Sequence, residues 1–180
     1  MPVILYGGFF VTGMFNLFHA HEHCIKGTGL ELEEFALDHG GRYPFSSNGF
    51  GDAIVLLLRE NTNAPARHFT APGDDGSMLE EFLKNGSNVP EERCTRAYVQ
   101  GFCNTNWGIA LVFDRYPTRG GDHFRRPWGP LVREVWMAGG GHEIINESKW
   151  QEFRQRQIEL LVGAGISQEE AEKYYEPPVR

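Results

Sequence analysis

Trp136-Met137-Ala138-Gly139-Gly140-Gly141-His142-Glu143-Ile144-Ile145 is the stretch on which the fold turns. Val135 and Met137 alternate with Trp136 and Ala138, a two-residue period that puts successive side chains on opposite faces of a strand. Gly139 to Gly141 then supply residues free to take positive φ, which a tight hairpin turn requires. Residues 135 to 145 are therefore predicted to form an antiparallel hairpin, with a helix opening a few residues later.

Working outward, residues 24 to 38 carry helical spacing at Ile25, Gly29, Leu32 and Phe35/Ala36, and Gly40-Gly41 gives that helix a stop. Residues 61 to 76 read as a loop, rich in proline, glycine and short polar residues. Ser77-Met78-Leu79-Glu80 has the pattern of a capping box, as does Ser148-Lys149-Trp150-Gln151. The second opens a helix whose face would hold Trp150, Phe153, Gln157, Leu160 and Leu161. Residues 108 to 113 suit a strand, and Ser167-Gln168-Glu169-Glu170 starts a last short helix that Pro177 stops.

The chain has 180 residues, enough for one domain with a core, and its 22 glycines and 13% aromatics point to a loop-rich fold pinned by large rings. A net charge of −7 speaks against nucleic acid as a partner. Arg115, Arg119, Arg125, Arg126 and Arg133 form one basic stretch beside Phe124 and Trp128. It reads first as a solvated loop paired with the acidic C-terminal region, and second as an anion patch. Residues 2 to 18 carry no charge and would reach roughly 25 Å as a helix, near the minimum for a bilayer core. A buried segment of a soluble core fits the same run equally well.

Two blocks resemble a known group. Residues 136 to 145 are similar to the "LFADGHVEFI" hairpin of bacterial type IV pilin-like proteins related to the type II secretion pseudopilins, with Gly140 where that group has Asp. Residues 24 to 44, from Cys24 to Asp38-His39-Gly40-Gly41-Arg42-Tyr43-Pro44, resemble its "C..NLKQIGLALQMYANDHDGRYP". The resemblance covers residues 24 to 153 thinly and these two segments well. It implies an α+β fold in which a long N-terminal helix packs on a small antiparallel β-sheet, followed by C-terminal helices. Implied too are an apolar segment 1–23 that anchors in a membrane, a globular domain 24–153 outside the cytoplasm and a helical extension 154–180. Ala53 to Leu58 suit either a buried strand or a short helix that Asp52 could cap, and the resemblance favours the helix. The implied role is a non-enzymatic envelope component, without cofactor, whose partners are other pilin-like subunits or secretion components. Gly8-Phe9-Phe10-Val11-Thr12-Gly13 lacks the Glu of the group's cleavage motif, and no basic leader precedes it.

The competing reading is chemical. His19, His21 and His23 share one face if residues 19 to 23 form a strand, and imidazoles bind zinc. A small metal-dependent hydrolase is the alternative function, although no further carboxylate ligand or general base can be identified. The similar H-x-H of amidohydrolases belongs to a barrel of about 250 residues, too large for this chain. His142-Glu143-Ile144-Ile145-Asn146 lacks the second His of a zincin motif. Asp114 and Asp122 offer calcium-type oxygen donors without a matching loop motif, so no metal ligand and no catalytic residue is assigned. His39, His68 and His123 read as isolated, solvated histidines. Cys94 and Cys103 could close a loop, leaving Cys24 unpaired.

Overall fold

The computed structural model describes residues 24–60, 65–71, 74, 76–85, 89–120 and 128–178. In chain order its helices are α1 (Ile25–Asp38), α2 (Phe50–Glu60), α3 (Ser77–Asn85), α4 (Trp150–Gly163) and α5 (Gln168–Lys173). Its strands are β1 (Arg96–Tyr98), β2 (Ala110–Asp114), β3 (Thr118–Arg119), β4 (Leu131–Met137) and β5 (His142–Asn146). Turns of 3₁₀ helix cover Ala66–Phe69, Glu91–Arg93 and Glu147–Lys149.

All strand pairs are antiparallel: β1 with β2, β2 with β4, and β4 with both β3 and β5. Val132 faces Thr118 on one side and Asn146 on the other, so β3 prolongs β2 along the same edge of β4. The β4–β5 hairpin forms where the glycine run predicts it. Gly139, Gly140 and Gly141 take φ of 77°, 88° and 148°, and Met137 N–H donates to Gly141 O. A side chain with a Cβ would strain each of these positions.

α1 forms because Ile25, Leu32 and Ala36 fall on one buried stripe, together with the small Thr28 and Gly29. It ends in a Schellman turn: Gly40 takes φ 63° and Gly41 N–H reaches back to Ala36 O at 2.7 Å. The long N-terminal helix is corrected here. Cys24 is extended, with φ −70° and ψ 115°, so the first described helix begins at Ile25 and has only 14 residues. At 1.5 Å per residue that is about 21 Å, one side of a sheet and no more.

Opposite faces of the sheet carry different partners. Arg96, Asp114, Glu134 and Trp136 alternate onto the face that α1 covers. Phe113 and Val135 alternate onto the other, where Phe113 stacks on Tyr175 with centroids 4.5 Å apart and Trp150 lies 5.7 Å from Phe113. Ile158, Leu161, Ala171 and Tyr175 belong to the same buried cluster as the sheet, so α4 and α5 contribute to a common core. Leu160, expected on this face, is exposed, and Ile158 takes its place.

Two capping expectations fail for local reasons. Residues 147 to 149 tighten into a 3₁₀ turn, so Lys149 rather than Ser148 occupies the N-cap of α4 and no side chain caps it. α2 starts earlier than Asp52; Phe50 N–H donates to the Glu91 carboxylate, while Asp52 accepts from Val89 N–H at 2.9 Å. Ser167 does cap α5, accepting from Glu170 N–H at 3.2 Å.

β2 contains a bulge between Ala110 and Val112, and Gln157 of α4 repairs the ladder there. Its amide accepts from Ala110 N–H and donates to Gly108 O, both at 2.9 Å. Gln157→Leu keeps the volume but strands the Ala110 N–H in the core. A loss of about 2 kcal/mol and a fall in Tm of roughly 4–8 °C should follow. An unchanged thermal melt would contradict this role for the amide.

Candidate functional site

The chemistry of this molecule concentrates in the seam between α1 and the sheet. Register brings Arg96, Asp114 and Glu134 side by side across β1, β2 and β4, all fully or almost fully buried. Arg96 Nε donates to Asp114 Oδ1 at 2.9 Å, and its Nη1 donates to His68 O at 2.5 Å and lies 3.4 Å from Thr28 Oγ1. The Thr28 hydroxyl also donates to His68 O. Burial pushes the Asp114 carboxyl above the usual carboxylate range, with the neighbouring Arg96 pulling it back. At the far end His142 Nε2 lies 2.9 Å from Glu134 Oε2.

α1 closes over this row through two contacts. The Trp136 indole fills the space where Gly29 would carry a Cβ, and the His68 ring lies against Gly27, 3.0 Å from its Cβ position. His68 Nδ1 is also 2.8 Å from Glu31 Oε1. At the C-terminal end of α1, Tyr43 OH donates to Glu33 Oε1 at 2.6 Å and accepts from Gly139 N–H at 2.8 Å. Burial, and then the bond to Glu33, keep this phenol protonated well above the ordinary tyrosine range.

Several sequence expectations change at this point. Asp114 is no calcium ligand in waiting, because strand pairing seals it against Arg96. Arg115 and Arg133 are not solvated. Arg115 holds the carbonyls of Glu91, Cys94 and Glu176, and Arg133 pairs with Glu147 at 2.8 Å while its guanidinium lies over the Trp150 ring. In place of the expected pairing with acidic side chains of the C-terminal region, Arg115 reaches that region only through the Glu176 backbone carbonyl, and the carboxylate on Arg133 comes from Glu147, next to β5. His39 bonds Phe35 O at 2.8 Å and lies 3.2 Å from Glu60, so it and His68 are partnered rather than isolated. His19, His21, His23, Asp122, His123, Phe124, Arg125 and Arg126 lie outside the described residues.

Among the described residues, two surface clefts lie apart from this seam. One, of about 300 Å³, lies between residues 45–50 and α5, where Glu91 joins Phe50 N–H to Lys173 at 3.0 Å. The other, of about 200 Å³, lies between α1 and α2 and is lined by Glu31, Glu34, Asp38, His39 and Glu60. Among the described residues, no group of three or more His, Cys, Asp or Glu is placed to hold a metal ion, and no helix is long and apolar enough to cross a membrane. No family model, no curated protein and no solved structure matches the chain.

All three cysteines are free thiols, so the Cys94–Cys103 loop is not closed. Their environments differ in a way that alkylation reads directly. Burial pushes the Cys94 thiol up to about 12, whereas Cys103, hydrogen-bonded to the Thr105 hydroxyl at 3.0 Å, is lowered from the ordinary thiol value. The thiolate is the reactive form. Peptide mapping after iodoacetamide treatment at neutral pH should find Cys103 labelled first and Cys94 labelled only after denaturation. Equal labelling of both in the native protein would contradict these environments.

Proposed function

We propose that this chain is a non-enzymatic pilin-like or pseudopilin-like subunit of a bacterial envelope secretion or appendage system. Its uncharged N-terminal run anchors it to the membrane, and its globular part lies outside the cytoplasm. The observation that carries this reading is the mutual packing of residues 24–44 and 136–145, the two blocks that bear the resemblance. Gly29 of the first receives Trp136 of the second, and Tyr43 of the first receives the Gly139 N–H of the second. The two segments thus interlock as a single structural unit.

The outward face of α1 also suits assembly. Leu30 and Leu37, seven residues and two turns apart, are 64% and 77% exposed, an apolar pair that a neighbouring subunit can cover. A photo-crosslinking residue at position 37, in cells expressing the full chain, should trap adducts with further copies or with other envelope subunits. A crosslinker there that yields only uncrosslinked monomer would count against an assembly role.

A further inference from the structure

The loop joining β1 to β2 holds a tryptophan in a way that packing does not require. Trp107 is 80% exposed, yet its indole is fixed at two places. The ring N–H donates to Asn104 O at 2.9 Å, and the pyrrole edge lies on Gly139 in the hairpin turn, where any Cβ would collide with it. The loop is tied to the turn after α1, where Asn104 N–H donates to Gly41 O at 2.9 Å, and is closed on itself by Cys103 N–H donating to the Asn106 side chain at 2.8 Å.

Fixing an aromatic side chain costs conformational entropy, normally offset by burial, and here little of the ring is buried. The arrangement offers a preorganised flat apolar surface to solvent. The same turn carries uncharged polar groups: the Thr105 hydroxyl, 3.0 Å from Cys103 Sγ, and the Asn104 carboxamide, which lies over Gly41 and makes no hydrogen bond among the described residues. A ligand matching this site has a flat C–H face for the indole and neutral hydroxyl or amide groups for Asn104. The base of a nucleotide also stacks on indole, but the nucleotide's phosphates would meet a chain of net charge −7.

We infer that the Trp107 loop binds a neutral saccharide ring, stacked on the indole and hydrogen-bonded by Asn104. The test is a titration of the full chain, in a detergent without a sugar headgroup, with hexamers of β-1,4-linked glucose and of β-1,4-linked N-acetylglucosamine. The four indole N–H resonances are followed by NMR, with Trp107 assigned from its loss in Trp107→Phe. At least one hexamer should shift the Trp107 resonance saturably, with a Kd of about 1 mM, a strength expected of a single open platform. Affinities of the variants are read from the backbone amide resonances of Thr105 and Asn106, which each of them retains: Trp107→Ala should weaken binding at least tenfold, Asn104→Ala severalfold, and Trp128→Ala, which removes another exposed indole, not at all. The Asn104 variant retains the indole and its backbone acceptor, so it reads recognition even if Trp107→Ala perturbs the loop. Hexamers that leave the Trp107 resonance unmoved, or Trp107 and Asn104 variants that bind as the unaltered chain does, would overturn the assignment.

Discussion

Arg96→Met should destabilise the protein by about 3–5 kcal/mol, and Asp114→Leu by a similar amount. Both groups are fully buried and joined at 2.9 Å, so removing either leaves the other charged side chain desolvated without its partner. A surface pair of the same geometry would contribute about 1 kcal/mol at most, because solvent already screens it. Combining the two changes replaces a polar seam with an apolar one, and the double variant should recover a large part of either single loss. Urea unfolding of all four proteins measures this coupling. Single losses below about 1 kcal/mol, or strictly additive effects, would show that the row beneath α1 is not the closed network described.

The second large effect is expected at Gly29. Glycine inside a helix is ordinarily a weakness, and Ala there should gain about 1 kcal/mol from propensity alone. At Gly29 the added methyl would overlap the buried Trp136 indole, and overpacking of that kind costs typically about 1–3 kcal/mol and sometimes more. The clash wins, so Gly29→Ala should lower stability. Gly163 supplies the contrast. It lies in α4 with open space at its Cβ position, and Gly163→Ala should raise stability by up to about 1 kcal/mol. The same chemical change thus carries opposite signs at two helical sites. Two stabilising substitutions would mean that α1 does not sit on Trp136.

Local signals made the hairpin and α1 legible in the sequence. Gly139 to Gly141 leave a turn little choice, and Ile25, Leu32 and Ala36 mark one stripe before Gly40 ends it. The charged row was not legible. Arg96, Asp114 and Glu134 read as ordinary polar residues until strand register places them abreast, and register depends on pairings between distant segments. The same limit explains Arg115 and Arg133, whose neighbours in sequence suggest a solvated loop while their partners come from residues 91–94, 147 and 176. Gln157 fell on an apolar helix face without an evident reason, and the bulge in β2 supplies one. The expected long N-terminal helix came from the resemblance; the extended backbone at Cys24 starts α1 afresh. Trp107 gave no periodic signal, because its position depends on the turn of a separate hairpin.

A membrane-anchored structural subunit requires that residues 1 to 23 hold the chain at the membrane. The direct measurement is to express the full chain and a chain beginning at Cys24 in the same bacterium and to separate membrane from soluble fractions. The full chain should sediment with membranes and resist salt extraction, since its uncharged run would be held by apolar contact, while the shorter chain should remain soluble. Equal recovery of both chains in the soluble fraction would contradict the anchored-subunit account.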